Sequence, residues 1–235
     1  MDIRRQFDAI GPRSAEGNSL FFGARQDWAR AFINEQLGDI CEKAILDLGC
    51  GQGDDLAAYG ERGAIAFGVD ASQVMVAAAQ AHGQRAAVGY LEALPFRDAQ
   101  FDAAVSRLGF HYSPEFDEAY AECARVLKPN GRLIVVGPHP YCEAIRHDGY
   151  RNPKVIENKL FDGAVTVRYP THTLAQWLSP AFCEYFALEA IAEYAGEGEN
   201  RLIEPNTLAL AARKLEAQKG FNLMLLLQPF RVEKP

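Results

Sequence analysis

A chain of 235 residues with 24 Lys and Arg against 31 Asp and Glu carries a net charge of −7 and a pI near 5.3, which argues against a nucleic-acid groove, since that needs clustered basic side chains to displace counterions. Five cysteines (Cys41, Cys50, Cys123, Cys142, Cys183) without C-x-x-C spacing suggest reduced thiols in a cytoplasmic protein, with neither a disulfide scaffold nor a zinc site. The length suits one α/β domain with no Gly/Ser linker, and the longest apolar run, Leu223 to Leu227, is far short of the roughly 20 residues that span a bilayer.

Residues 1–43 show no apolar signal region and mix aromatic with charged side chains. From Arg25 to Leu37 the apolar positions Trp28, Ala29, Phe32, Ile33 and Leu37 have helical spacing and predict an amphipathic helix against a sheet. Packing is the first reading of the aromatic residues in this segment, and contact with a substrate is the second. Ala44 to Leu56 then reads as strand, tight turn and helix: an apolar run breaks into Gly49, Gly51 and Gly53, where backbone without Cβ can take a positive φ and present N–H groups to a ligand. The helix is expected to begin at Asp54, with that carboxylate as its N-cap. Asp47 lies inside the apolar strand. A buried carboxylate costs several kcal/mol unless it is hydrogen-bonded, so it ties down the glycine turn through backbone N–H groups, orients a cationic group of a ligand directly or through water, or does both. The next apolar strand, Ala64 to Asp70, ends in a second carboxylate about 20 residues after the glycines, the placement that takes the two hydroxyls of a ribose in a strand-helix-strand unit. The alternative for Asp70 is a cap on the following helix.

The glycines run G-x-G-x-G, whereas a dinucleotide site wants G-x-G-x-x-G with a pyrophosphate on the helix N-terminus. Asp54 and Asp55 would repel that pyrophosphate, and a macrodipole of about half a charge does not offset both. This disfavours an NAD(P)-dependent oxidoreductase. A nucleoside without phosphate that carries cationic groups fits instead, and S-adenosylmethionine is such a molecule.

Ser72 to His82 predicts a helix with Val74, Met75 and Ala78 against the sheet, and Ala86 to Tyr90 a third strand. Phe101 to Ser106 is the fourth; Arg107, His111 and Tyr112 leave its carboxyl end, which in a doubly wound sheet opens into the ligand crevice. His111 is therefore a candidate base or orienting group, against the commoner structural role of a single histidine. A helix from Glu115 to Leu127 stops at Lys128-Pro129-Asn130-Gly131, before a strand from Leu133 to Gly137. Residues 138–172 are rich in Pro, His, Tyr and Arg, with only Ala164 to Val167 resembling a strand. They read as a cover for an anionic or aromatic small molecule, or as a solvated loop; their histidines lack metal-ligand spacing, so no metal is expected. A helix from Leu174 to Phe186, with Leu174, Trp177, Leu178 and Phe182 inward, precedes strands at Ala187 to Tyr194 and Thr207 to Ala212, joined through 195–200. The apolar segment Phe221 to Leu227 is expected to pack on the body or on a second subunit, as in a homodimer.

Ile45-Leu46-Asp47-Leu48-Gly49-Cys50-Gly51-Gln52-Gly53 and Gly68-Val69-Asp70-Ala71-Ser72 resemble the first two cofactor motifs of the class I S-adenosylmethionine-dependent methyltransferases. Glu92-Ala93-Leu94-Pro95-Phe96, Phe101-Asp102 and Arg125 to Leu133 are similar to the remaining landmarks of the subgroup that includes the quinone-biosynthesis enzymes. The resemblance spans residues 44–137. It implies an α/β, Rossmann-like, doubly wound seven-stranded mostly parallel sheet with a closing antiparallel hairpin. The methyltransferase domain would cover 44–213, with a helical segment 1–43 over the cleft, a lid at about 138–172 and a tail at 214–235. It further implies S-adenosylmethionine as cofactor, contacted by Asp47, Gly49, Cys50, Gly51, Asp70, Ala71, Leu91, Glu92 and Arg107. Relatives commonly place an aspartate at the position of Tyr90 for the adenine amino group; here Leu91 N–H and Glu92 are the substitutes. That departure leaves open a non-catalytic protein that binds S-adenosylmethionine or S-adenosylhomocysteine. A sulfonium methyl is already activated, so orientation and exclusion of water do most of the work. A base, with His111 or His172 as the candidates, is needed only for a weakly acidic nucleophile.

Overall fold

The computed structural model describes residues 2–11, 23–141, 154–160, 165–195 and 206–216. In chain order its strands are β1 (Ala44–Leu48), β2 (Ile65–Asp70), β3 (Ala86–Val88), β4 (Phe101–Arg107), β5 (Leu127–Pro138), β6 (Val155–Leu160), β7 (Val165–Pro170), β8 (Phe186–Tyr194) and β9 (Thr207–Lys214). The helices are α1 (Ile3–Ile10), α2 (Gly23–Leu37), α3 (Asp54–Glu61), α4 (Gln73–Ala81), α5 (Phe116–Val126), α6 (Leu174–Trp177) and α7 (Pro180–Tyr185).

Alternation of side chains builds the main sheet. Leu46 and Leu48 of β1, Ala104 of β4, Leu133 and Val135 of β5, and Leu208 and Leu210 of β9 point to one face, where they meet Phe110, Tyr120 and Trp177. The intervening residues Ile45, Ala103, Val105, Ile134, Val136, Ala209 and Ala211 point to the other face, against Ala29, Phe32, Ile33 and Leu37 of α2. With a period of two, strands that are apolar at every position must be covered on both sides.

The seven strands run β3-β2-β1-β4-β5-β9-β8. The pairings among β1 to β5 are parallel, and β9 is antiparallel to both β5 and β8. The chain leaves β1 toward β2 and returns to β4 on its other side, so the strand order reverses between β1 and β4. Loops part there, and a crevice opens at the carboxyl ends of the strands. The doubly wound sheet and its closing antiparallel hairpin are as the sequence predicts.

Several boundaries differ from expectation, each for a local reason. Gly53, at φ 90°, holds the N-cap position of α3 without a side-chain cap, so Asp54 is inside the first turn and is not the cap. The buried residues of α4 are Met75, Val76 and Ala79, while Val74 is exposed. The segment Leu174 to Phe186 is two helices: Ser179 caps a new start with Pro180 at its first position, where a missing N–H does no harm. Trp177 and Phe182 are buried, but Leu174 is exposed. Lys128 to Gly131 do not separate helix from strand. β5 begins at Leu127, paired with Phe101, and the register then jumps to Ala103 opposite Arg132. The region read as strandless apart from Ala164 to Val167 contains an antiparallel hairpin of β6 and β7. Residues 142–153, the connection 196–205 and the tail from 217 lie outside the described residues, and with them the choice between a tail on the body and one on a second subunit. Among the described residues no helix is long and apolar enough to cross a membrane.

Tyr120, fully buried on α5, donates its hydroxyl to the Trp177 carbonyl at 2.8 Å and so joins α5 to α6. Tyr120→Phe keeps the ring and strands the carbonyl, and should lower unfolding stability by about 1–3 kcal/mol, read as a lower urea midpoint at an unchanged m-value.

Candidate functional site

At the carboxyl end of β1 the chain turns through Gly49, Cys50 and Gly51. The Gly49 and Cys50 N–H groups both donate to the Val69 carbonyl, at 2.8 and 3.0 Å. The Gly51 N–H donates to Asp70 Oδ2 at 2.9 Å, and the Ser72 N–H to Asp70 Oδ1 at 2.8 Å. One acid therefore fastens the first turn to the second strand and also to the start of α4. An ionised carboxylate has about four acceptor positions, so these two bonds leave room for a ligand's donors. A Cβ on Gly51 would meet no atom within 4 Å, whereas one on Gly49 would lie 3.1 Å from Gly109 Cα. Gly51 thus faces open space, and Gly49 lets the turn press against the loop after β4. Ser106 locks that approach by donating from Oγ to the Leu48 carbonyl at 2.8 Å.

These loops border a cavity of about 760 Å³. Asp47, Gly49, Cys50, Gly51, Asp70, Ala71, Leu91, Glu92, Arg107 and His111 all line it; His172 does not. Asp47 is buried, and burial first, then the neighbouring Asp55 charge, holds its carboxyl well above the usual range. The expectation that it ties down the glycine turn fails, because the turn's N–H groups go to Val69 and Asp70. Burial likewise raises Asp70, partly offset by the Ser72 and Gly51 hydrogen bonds. Asp55 takes Arg107 Nε at 2.6 Å and Arg30 Nε at 3.3 Å. Burial pulls Arg107 down, but the Asp55 charge and hydrogen bond more than offset it, and the guanidinium stays charged. Burial holds the Cys50 thiol far above its ordinary value, so this residue offers backbone to the cavity and no nucleophile. Glu92, expected from the sequence to stand in for a missing aspartate, accepts a hydrogen bond from Ser113 Oγ, and Tyr90 is 44% exposed.

Beyond β4 a short 3₁₀ turn, Phe110–Tyr112, carries His111 into the wall. Burial, followed by the charges of His172 and Arg25, holds this imidazole well below its ordinary value, so it is neutral at pH 7. Its Nδ1 is enclosed and has no hydrogen-bond partner among the described residues. His172 stands behind it, stacked on Phe116 with centroids 4.0 Å apart, its Nε2 3.0 Å from the His111 carbonyl. Burial pushes His172 down to about 4. The two candidate bases are therefore unlike: one borders the cavity, and the other props up the turn that carries it.

Several lining residues escape the sequence reading. Asp55 reads there only as a repellent of phosphate, because its partner Arg107 is 52 residues away. α1 supplies Ile3, Phe7 and Ile10 to the cavity wall. Asp2 as N-cap and apolar residues at i, i+4 and i+7 are the signal that finds this helix. Gln6 accepts from the Arg168 N–H at 2.5 Å and donates to its carbonyl at 3.1 Å, while Asp8 accepts from Ser72 Oγ at 2.7 Å. α1 is thereby gripped by β7 on one side and by the start of α4 on the other. Phe7 packs edge-on to Tyr112 at 4.9 Å, and Tyr169 of β7 lies edge-on to both His111 and Tyr112 at 5.0 and 5.2 Å. Among the described residues no group of three or more His, Cys, Asp or Glu is placed to hold a metal ion.

Residues 46–135 match a family described as a methyltransferase domain. A demethylmenaquinone methyltransferase from Thermus thermophilus is 38% identical over 139 residues, which cover 55% of this chain and 63% of that protein. The chain spans less than two thirds of the length of such curated relatives. The crystal structure of an S-adenosylmethionine-dependent methyltransferase from Mesorhizobium loti superposes with a TM-score of 0.64 at 22% identity, over 78% of this chain and 96% of that one. A Burkholderia thailandensis 1,6-didemethyltoxoflavin-N1-methyltransferase, solved with bound 1,6-didemethyltoxoflavin and S-adenosylhomocysteine, gives 0.61 at 20% identity over 91% and 87%. At these identities the two structures speak for the fold alone.

The Asp47 environment has a thermodynamic sign. An acid whose folded pKa lies above its unfolded value of about 3.9 favours the folded state when protonated, so its contribution is present below the unfolded pKa and is lost as pH rises through the folded one. Asp47→Asn should therefore raise the thermal midpoint of the ligand-free protein at about pH 8, by an amount that shrinks toward about pH 4, as read by scanning calorimetry across that interval.

Proposed function

We propose that this chain, whose residues 46–135 match a methyltransferase domain, is a class I S-adenosylmethionine-dependent methyltransferase that binds S-adenosylmethionine in the crevice and methylates a small-molecule acceptor. The observation that carries the reading is Asp70, fixed beside bare glycine backbone at the strand-order reversal with acceptor positions to spare. The residues present fit the cofactor. Asp70 suits the ribose hydroxyls, and the Gly49 to Gly51 turn gives the close approach that a nucleoside needs. Asp47, buried with no described donor bonded to it, suits the ammonium of the methionine part. Arg107, aimed by Asp55, suits its carboxylate. Ala71, Leu91 and Glu92 complete the adenine side.

The bound cofactor supplies a methyl group already activated on a positively charged sulfur. The chain's work is then to hold an acceptor in line and keep water out. α1 and the β6–β7 hairpin roof the chamber from two sides through Ile3, Phe7 and Tyr169. A cavity of about 760 Å³ is of the size that takes a nucleoside with a further small molecule, and the small-molecule acceptor accords with the name of the Thermus relative. A diphosphate cofactor meets Asp54 in the first turn of α3, which disfavours a nicotinamide dinucleotide. Cytoplasmic residence belongs to the same reading, supported by the described cysteines, all free thiols.

Calorimetric titration should show binding of S-adenosylmethionine and S-adenosylhomocysteine and none of NAD. Asp70→Ala should weaken the first two by more than about tenfold, or ~1.4 kcal/mol, the scale of a hydrogen bond to a charged group. Unchanged affinity removes Asp70 from the ribose. Formation of S-adenosylhomocysteine in the presence of a metabolite panel separates an enzyme from a protein that only binds the cofactor.

A further inference from the structure

The buried stripe of α2 ends on a polar residue. Ala29, Ile33 and Leu37 are buried at the intervals that keep side chains on one face of a helix, and Gln26 holds the next position of that stripe, one step toward the N-terminus. An amide thus occupies a place where the pattern calls for an apolar group. It is 8% exposed and lines the cavity. Its Oε1 is enclosed and has no hydrogen-bond partner among the described residues, so the cost of taking this acceptor out of water is not recovered within the empty protein.

One turn further along α2, Arg30 places its Nε 3.3 Å from Asp55 Oδ1, and Asp55 takes Arg107 Nε on its other oxygen at 2.6 Å. Residues four apart on a helix are neighbours, so Gln26 is adjacent on α2 to the side chain that holds Asp55 and, through it, Arg107. Of the two charged groups on the methionine part of the cofactor, the carboxylate has the Arg107 guanidinium. The ammonium brings three N–H donors and is left with Asp47, whose ionisation is opposed by burial and by the Asp55 charge. A neutral carbonyl is the partner that such a place lacks, because it accepts a hydrogen bond without adding another negative charge. The two ends of an amide have the same shape, and a half-turn about its last bond exchanges Oε1 with Nε2 at no change of volume.

We infer, on the reading that the crevice holds S-adenosylmethionine, that Gln26 is a cofactor-binding residue whose Oε1 accepts an N–H from the ammonium that Asp47 also takes, so that α2 selects nucleosides carrying a free amino group. Amide and carboxylate come from separate elements, α2 and β1. Two such anchors restrict the methionine chain more than either does alone, and with it the position of the sulfur that bears the methyl group. The enclosed carbonyl gains the partner it lacks, and cofactor binding recovers what the empty protein forgoes at this position.

The test measures, by calorimetry on the full chain, the binding of S-adenosylhomocysteine, of its analogue without the ammonium, of its analogue without the carboxylate, and of 5′-methylthioadenosine, which has neither group. Gln26→Met, close in volume, should weaken S-adenosylhomocysteine and the analogue that keeps the ammonium by about tenfold or more, the scale of a hydrogen bond to a charged group. It should leave the analogue without the ammonium and 5′-methylthioadenosine unchanged. In the absence of ligand its thermal midpoint should equal or exceed that of the unsubstituted protein, since an unpaired polar group is gone, and Gln26→Leu should repeat both results. A loss that follows the carboxylate and not the ammonium makes Gln26 a donor and overturns the assignment. An equal loss for every ligand makes the residue structural, and an unchanged affinity for S-adenosylhomocysteine removes it from the site; either result overturns this inference alone. Failure of the unsubstituted protein to bind S-adenosylhomocysteine overturns the proposed function with it.

Discussion

The site depends on one carboxylate in two hydrogen bonds. Asp70 accepts the Gly51 N–H from the turn after β1 and the Ser72 N–H from the start of α4, and so it fixes the distance between the two halves of a nucleoside crevice before any ligand arrives. Its burial is unfavourable for a charge, and the two backbone donors offset part of that cost. Parallel pairing of β1 with β2 brings Asp47 opposite Gly68 and Leu48 opposite Val69. The register of the sheet is therefore what delivers the acid to the turn.

Around this joint the charges are arranged by burial more than by distance along the chain. Asp47 makes no ion pair among the described residues and feels Arg107 only through its charge, while Asp55 spends its charge on Arg107 and Arg30. Neighbouring acids with such different partners serve different purposes: Asp55 keeps an arginine charged and aimed, and Asp47 keeps an unmet preference for a cation. Such a preference lowers the stability of the empty protein, in the way that binding sites commonly do. His111 and the aromatic rings of Phe7, Tyr112 and Tyr169 line the same cavity as these acids.

Much of this is legible in the sequence. The order of β1, β2, β4 and β5, the glycine turn and Asp70 follow from local patterns: apolar runs, glycine spacing, and an acid at a strand end. What escapes is whatever depends on partners distant in the chain. Nothing local says that Asp55 pairs with Arg107 or that His172 faces a carbonyl and not the cavity. Val155 to Leu160 hides its strand because Ile156 is buried while its neighbour Val155 is exposed, and the apolar alternation that marks a core strand is weak over so short a segment. Pro180 is a visible break inside Leu174 to Phe186, and Ser179 before it is a good N-cap, so the split of that helix is written in the sequence even though a periodicity reading passes over it.

The ceiling of the chamber is one helix of eight residues, and what holds it from outside the apolar contacts is a pair of side-chain grips, Gln6 on Arg168 and Asp8 on Ser72. Hydrogen bonds of this sort are worth about 1 kcal/mol each, against about 5–15 kcal/mol for unfolding a domain. Ile10 and Phe7 add apolar contact with Met75, Ile156, Val167 and Tyr169 to those bonds, and α1 takes no part in the strand pairing of the main sheet. One wall of the cavity is accordingly built by a segment that contributes no strand to the fold, and its grip can be altered without touching a pairing of the main sheet.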